Sequence, residues 1–153
     1  MRAKRFDKVV LIAPAGLNDP AYPATDLGAV APQELPAYLA QDVSVALRYF
    51  PDGSDAAFAE AFGADRAREG ETLGRLLAPF GMGHPNLRRF LARIANPTLV
   101  VWGTRDRMLP AGQAPLFVEA LPDARLILVE DAGHFVMQEK PETLRKIGDF
   151  FAG

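Results

Sequence analysis

The chain contains no cysteine, which removes disulfides, thiolate metal sites and a thiol nucleophile at once. Other nucleophiles are nearly as scarce. Two serines occur in 153 residues, Ser44 within "QDVSVAL" and Ser54 within "PDGSDA". The first reads as part of a helix and the second as a turn or helix N-cap. Neither stands on the strand-to-helix bend that exposes a reactive serine. Net charge is also small, at −2, so there is no electrostatic case for nucleic acid or an anionic membrane. The expected partner is a small molecule. Long apolar runs are missing as well. After the basic residues at the start, the run from Val9 to Ala13 is preceded by Asp7 and stopped by Pro14. It is too short for a secretory leader or a bilayer span, and a cytoplasmic location is the expectation.

What is present is enough apolar residue, 49% against 24% charged, to build the core of one ordinary domain. "KVVLIAPAG", "TLVVWG" and "RLILVEDAG" are short β-branched runs stopped by glycine or proline, the pattern of strands buried on both faces of a parallel sheet. The last two enclose "AGQAPLFVEALP", where Leu116, Phe117, Ala120 and Leu121 share a helical face. "KPETLRKIGDFFAG" closes the chain as an amphipathic helix, with Pro141 at its start and Leu144, Ile147 and Phe151 along one side. Residues 97–153 therefore read as β-α-β-α.

The stretch between the first and second runs is far longer than one crossover helix needs. "LNDPAYPATDLGAVAPQELP" should be irregular; "AYLAQDVSVALRYF", "DAAFAEAF" and "DRAREGETLGRLLAPF" look helical, with Glu71 and Arg75 spaced for an ion pair. After the "GMGHP" break, Pro85 opens "PNLRRFLARI". The expected division is a core strand with its exit turn in 1–16, a helical cap or lid with a returning helix in 17–96, and a C-terminal core in 97–153.

In an open parallel sheet, functional groups gather beyond the carboxyl ends of the strands. Two of these ends carry ionisable residues. "VVWGTRDRMLP" presents Asp106, and "LVEDAGHF" presents His134. If the two strands are neighbours, the aspartate can hold the histidine's Nδ1–H and leave Nε2 as a base. Asp131 is nearer to His134 in sequence and is the competing acid, although a solvated turn is its simpler reading. Met108 and Phe135 adjoin the pair and read equally as substrate-pocket lining or packing. Trp102 reads as core, His84 as part of a turn, and Arg88, Arg89 and Arg93 as the wet face of a helix. No cofactor or metal is implied, and "LIAPAGL" lacks the later glycines of a dinucleotide-phosphate turn.

The tail "NPTLVVWGTRDRMLP…ALPDARLILVEDAGHFVMQEKPETLRKIGDFF" resembles the C-terminal part of the α/β-hydrolase family. The matching pattern is an apolar strand, G-x-x-D-x-x-x-P, a helix, a second apolar strand, G-H, then E-x-P opening the last helix. "RFDKVVLIAPAGL" resembles the strand that follows the nucleophile helix. The resemblance implies an α/β fold with a short parallel sheet, flanking helices and an inserted helical cap. It implies Asp106 as the triad acid and His134 as the base, in the order expected downstream of a serine. The implied reaction is hydrolysis of an ester or related acyl bond, or of a C–C bond in a diketone-type substrate. The nucleophile elbow, serine or aspartate, and the oxyanion donors are expected upstream of Met1. The chain alone is then expected to be inactive. The alternative is a non-catalytic module, or half of a split hydrolase that pairs with an N-terminal partner, or with itself, through the first strand's free edge.

Overall fold

One strand organises the molecule. In the computed structural model, which describes residues 6–17 and 19–153, the segment Thr98–Gly103 (β2) is buried at every position. It is central in a parallel sheet of order β1-β2-β3, between Val9–Ile12 (β1) and Ala124–Val129 (β3). Val9 stands opposite Thr98, and Thr98 opposite Ala124. The basic residues at the start, Arg2, Lys4 and Arg5, lie outside the described residues, as does Asn18.

Alternation along β2 sends its side chains into two cores. Val100 and Trp102 join Leu91, Leu109, Phe117 and Leu121 on one face. Leu99 and Val101 join Val129, Ala132 and Val136 on the other. Helix Gln113–Ala120 (α5) connects β2 to β3 and covers the first face through Ala114 and Phe117. The short helix Val136–Glu139 (α6) and the closing helix Thr143–Ala152 (α7) cover the second. Here Ile147 and Phe150 pack against the core, while Leu144 and Phe151 are more than half exposed. The buried stripe thus passes through Phe150 instead of the expected Phe151. Lys8 donates from Nζ to the carbonyls of Phe150 and Phe151, at 2.9 and 3.1 Å, and so caps the end of α7.

Neither outer strand is buried on both faces as its sequence suggests: in β3 only Val129 is buried and Leu128 is exposed, and β1 has no buried residue. The residues of β1 are half-buried and Ile12 is exposed, because only the β2 side is paired among the described residues.

The excursion between β1 and β2 begins with irregular chain and two 3-10 turns, at Leu27–Ala29 and Pro32–Glu34. "AYLAQDVSVALRYF" forms two five-residue helices, Leu35–Leu39 (α1) and Val43–Leu47 (α2). The break comes where Asp42 turns its carboxylate onto the N–H of Ser44, at 3.0 Å, and caps α2. By contrast, the two helical stretches expected further on merge into one helix, Ala56–Leu77 (α3), capped by Asp55. Its Glu71–Arg75 pair forms at 3.0 Å, but no residue of the helix is buried. A last short helix, Leu87–Leu91 (α4), brings the chain back to the sheet.

Because α3 is exposed and makes little tertiary contact, its intrinsic propensity governs its stability. A Cβ at Gly70 would meet nothing within 4 Å. Gly70→Ala is therefore expected to gain about 1 kcal/mol in the helical state and to slow amide exchange along α3 about fivefold. Unchanged or faster exchange would show that packing, and not propensity, holds the helix.

Candidate active site

β2 and β3 are parallel neighbours, so the loops leaving their carboxyl ends emerge on the same edge of the sheet. Backbone contacts then join the two loops. Thr104 N–H donates to the carbonyl of Val129 at 3.0 Å, and Arg105 N–H to that of Ala132 at 2.9 Å. Asp131 N–H donates to Thr104 Oγ1 at 3.1 Å. Gly103 permits the approach, since a Cβ there would stand 2.3 Å from the carbonyl oxygens of both Ala132 and Gly133. Below the loops, the buried Trp102 donates from Nε1 to the Leu109 carbonyl at 2.9 Å and fixes where the acid loop ends.

Within this frame Asp106 and His134 meet. His134 Nδ1 lies 2.9 Å from Asp106 Oδ2. The other carboxylate oxygen, Oδ1, accepts the backbone N–H groups of Met108 and Leu109, each at 2.9 Å. The aspartate is thus clamped in its own turn, its side chain fully buried, while the histidine side chain is 23% exposed. A carboxylate accepts and does not donate, so the proton of this contact sits on Nδ1 and Nε2 is the free acceptor of the neutral ring. No hydrogen bond occupies Nε2 among the described residues.

The other sequence candidates fall elsewhere. Asp131 is exposed, with φ of 52°, and its carboxylate faces Arg105 at 3.4 Å; it has no bond to His134. Met108 supplies a backbone N–H to the acid, and its half-buried side chain packs on the core around Trp102. Phe135 packs against Ala40, Val45 and Ala46 and meets Tyr49 edge-on at 5.7 Å. A broad apolar groove of about 930 Å³ lies between the 3-10 turns and α3, and neither Met108 nor Phe135 lines it. Trp102 is fully buried in the core. His84 sits in its turn, accepting Asn86 N–H on Nδ1 at 3.1 Å and packing between Phe80 and Phe90. Arg88, from the wet face of α4, pairs with Asp19. Both serine hydroxyls are engaged locally: Ser44 Oγ donates to Asp42 at 2.7 Å and Ser54 Oγ to Asp52 at 2.6 Å. The Ser44 hydroxyl, and then its backbone N–H, holds the Asp42 carboxyl below the usual carboxylate range, and Ser54 does the same for Asp52.

The sequence matches the alpha/beta hydrolase family over residues 1–147. The chain belongs to that family. Among its relatives, this alpha/beta hydrolase is 30% identical to lipase 1 of Psychrobacter immobilis over 92 residues, which are 60% of this chain and 28% of the lipase. It is 48% identical to the putative carbamate hydrolase RutD of Pseudomonas savastanoi pv. phaseolicola over 44 residues, 29% of this chain and 17% of that protein. Among solved structures, the 2-hydroxy-6-oxo-6-phenylhexa-2,4-dienoate hydrolase of a Rhodococcus strain superposes with a TM-score of 0.68 at 20% identity. That superposition covers 97% of this chain and 56% of the Rhodococcus enzyme. The chain thus spans under a third of lipase 1 and little more than half of the dienoate hydrolase. The similar folds carry the three-strand parallel sheet with helices as part of a hydrolase fold.

One further residue, given no role from the sequence, holds the His134 loop. Glu139, the glutamate of E-x-P, accepts the N–H of Gly133, next to His134, at 2.6 Å. Its signal was the motif itself; what its carboxylate binds is set by backbone groups that no sequence pattern displays.

Proposed function

We propose that this chain is the acid–base part of a serine hydrolase, in which His134 is the general base and Asp106 holds it. The single observation that supports this most is the 2.9 Å contact from His134 Nδ1 to a buried carboxylate whose second oxygen is already bound by two backbone N–H groups. His134 Nε2 takes the proton of a serine hydroxyl as that oxygen attacks a carbonyl carbon, then returns it to the leaving group. Asp106 fixes the tautomer and stabilises the imidazolium. In this reading the serine and one oxyanion donor stand on a strand-to-helix elbow that would pair beside β1. The second donor comes from an earlier strand-to-helix loop, and all are supplied by another segment. The substrate is an ester or related acyl compound, or a C–C bond beside a carbonyl, in line with the names of the lipase, carbamate hydrolase and dienoate hydrolase relatives. Residues 17–96 supply the cap and the helix returning to the sheet, between a core strand in 1–16 and the acid–base core in 97–153. No helix among the described residues is long and apolar enough to cross a membrane. The location proposed is cytoplasmic.

By itself the chain is expected to be inactive, because Ser44 and Ser54 each donate to an aspartate of their own turn. It should take no covalent label from a fluorophosphonate probe. Stoichiometric labelling abolished by Ser44→Ala or Ser54→Ala would overturn this. The positive test is co-expression with an N-terminal hydrolase segment that carries a G-x-S-x-G elbow. Ester hydrolysis should appear, and should vanish with His134→Ala.

Among the described residues the outer edge of β1 has no pairing strand, and this with the exposure of Ile12 favours a second reading, a non-catalytic module that self-associates through this edge. Sedimentation separates the two: a dimer that an N-terminal segment fails to displace supports the module.

A further inference from the structure

His134 is held from outside its own loop. On one side, Gly133 N–H donates to Glu139 Oε2 at 2.6 Å, while Oε1 of the same carboxylate accepts Asp42 N–H at 2.8 Å. One side chain therefore joins the base loop to the turn between α1 and α2. On the other side, Phe135 N–H donates to the Leu39 carbonyl at 2.7 Å. Gly133 lies so close to this turn that a Cβ would stand 2.7 Å from Gln41 N. The acid loop holds the same segment. Arg107, next to Asp106, donates from Nη1 to the Ala37 carbonyl at 3.2 Å and lies 4.3 Å from the centre of the Tyr38 ring. Residues 37–42 are thus a strap fastened to both loops.

We propose that Glu139 is a positioning residue, whose two oxygens make the Asp106–His134 pair depend on the seating of residues 37–42. The role needs a carboxylate. Both partners are N–H donors, so a glutamine could satisfy only one and would turn its NH₂ toward the other. Bonds from backbone N–H groups to an ionised acceptor are also stronger than neutral ones. The strap belongs to the excursion between β1 and β2, not to the sheet. Any event that unseats it, such as substrate entry or product release, loosens the base. This rests on His134 being the base, although the geometric part is testable without catalysis.

The test uses the imidazole proton itself. The chain has two histidines, and they differ in tautomer: His134 carries its proton on Nδ1, whereas His84 Nδ1 accepts from Asn86. Nitrogen-15 spectra therefore separate them, and the one tryptophan, the buried Trp102, reports the fold. Glu139→Gln and Glu139→Ala are expected to speed exchange of the His134 Nδ1–H with water at least about tenfold, with Trp102 emission native. Asp42→Pro removes the excursion's donor and also the side-chain cap of α2, and leaves Glu139 intact; Asp42 has φ of −87°, near the proline range. It should have the same effect. Asp42→Ala, which loses the cap but keeps the N–H, is the control that should leave the exchange unchanged. Unchanged exchange in Glu139→Gln or Asp42→Pro, with native Trp102 emission, overturns the proposal. If Glu139→Ala fails to fold, those two variants decide. In the enzyme assembled with its nucleophile segment, Glu139→Gln should lower kcat with KM unchanged. An inactive wild-type assembly would instead overturn the hydrolase reading and leave the exchange result standing.

Discussion

Asp106→Asn is expected to lower kcat about 10⁴-fold in the enzyme assembled with its nucleophile segment, and to leave the fold intact. The size of the effect follows from how the turn binds the carboxylate. Oδ1 accepts the N–H groups of Met108 and Leu109, so an asparagine must put its single oxygen there. Its NH₂ is then forced toward His134 Nδ1, where Oδ2 was. Two donors cannot face one another, so the imidazole must move its proton to Nε2 and accept on Nδ1. In that tautomer Nε2 has no lone pair to take a serine proton. The structural bonds survive, so thermal stability and Trp102 emission should stay near wild type. An asparagine variant with kcat within about tenfold of wild type would reject the role assigned to Asp106.

Gly103→Ala is expected to destabilise the chain by about 3 kcal/mol or more, a large share of the stability of a small domain. The new Cβ would lie 2.3 Å from the carbonyl oxygens of Ala132 and Gly133, and these are backbone atoms that no rotamer change can withdraw. Relief requires pushing the base loop away from β2, which breaks the Arg105–Ala132 bond. Urea unfolding compares the two proteins directly. A loss of under about 1 kcal/mol would mean that the loop yields easily and that its position is not set by this contact.

Where short β-branched runs end in glycine the sequence was a good guide to the strands, although only β2 is buried on both faces and Leu128 of β3 is exposed. "TLVVWG" and "RLILVEDAG" became adjacent parallel strands, and the loops after them brought Asp106 to His134 across 28 positions. Patterns failed where the deciding group was backbone or was missing from the neighbourhood. The apolar run of β1 implies cover on both sides, yet Ile12 is exposed, because pairing partners are not encoded in the strand itself. Helical periodicity ran straight through "AYLAQDVSVALRYF", while Asp42, equally at home in a helix surface or a cap, took the cap and broke it. Gly103 and Gly133 were legible as turn residues. Their stricter requirement, room for another backbone, appears only when the loops and the strap are seen together.

The spacing of the contacts along the chain also orders their assembly. The Asp106–His134 bond closes a loop of 28 residues, whereas the bond from the Asn96 side chain to the Phe6 carbonyl, which fastens the start of the sheet, spans 90. Chain-closure entropy makes the longer loop about 1 kcal/mol less favourable before any contact rewards it. The helix and strand between Asp106 and His134 shorten the search further, since both are local structure. The proposed catalytic dyad therefore lies in the faster-closing part of the described sheet, and β1 is the strand that must travel further to join it.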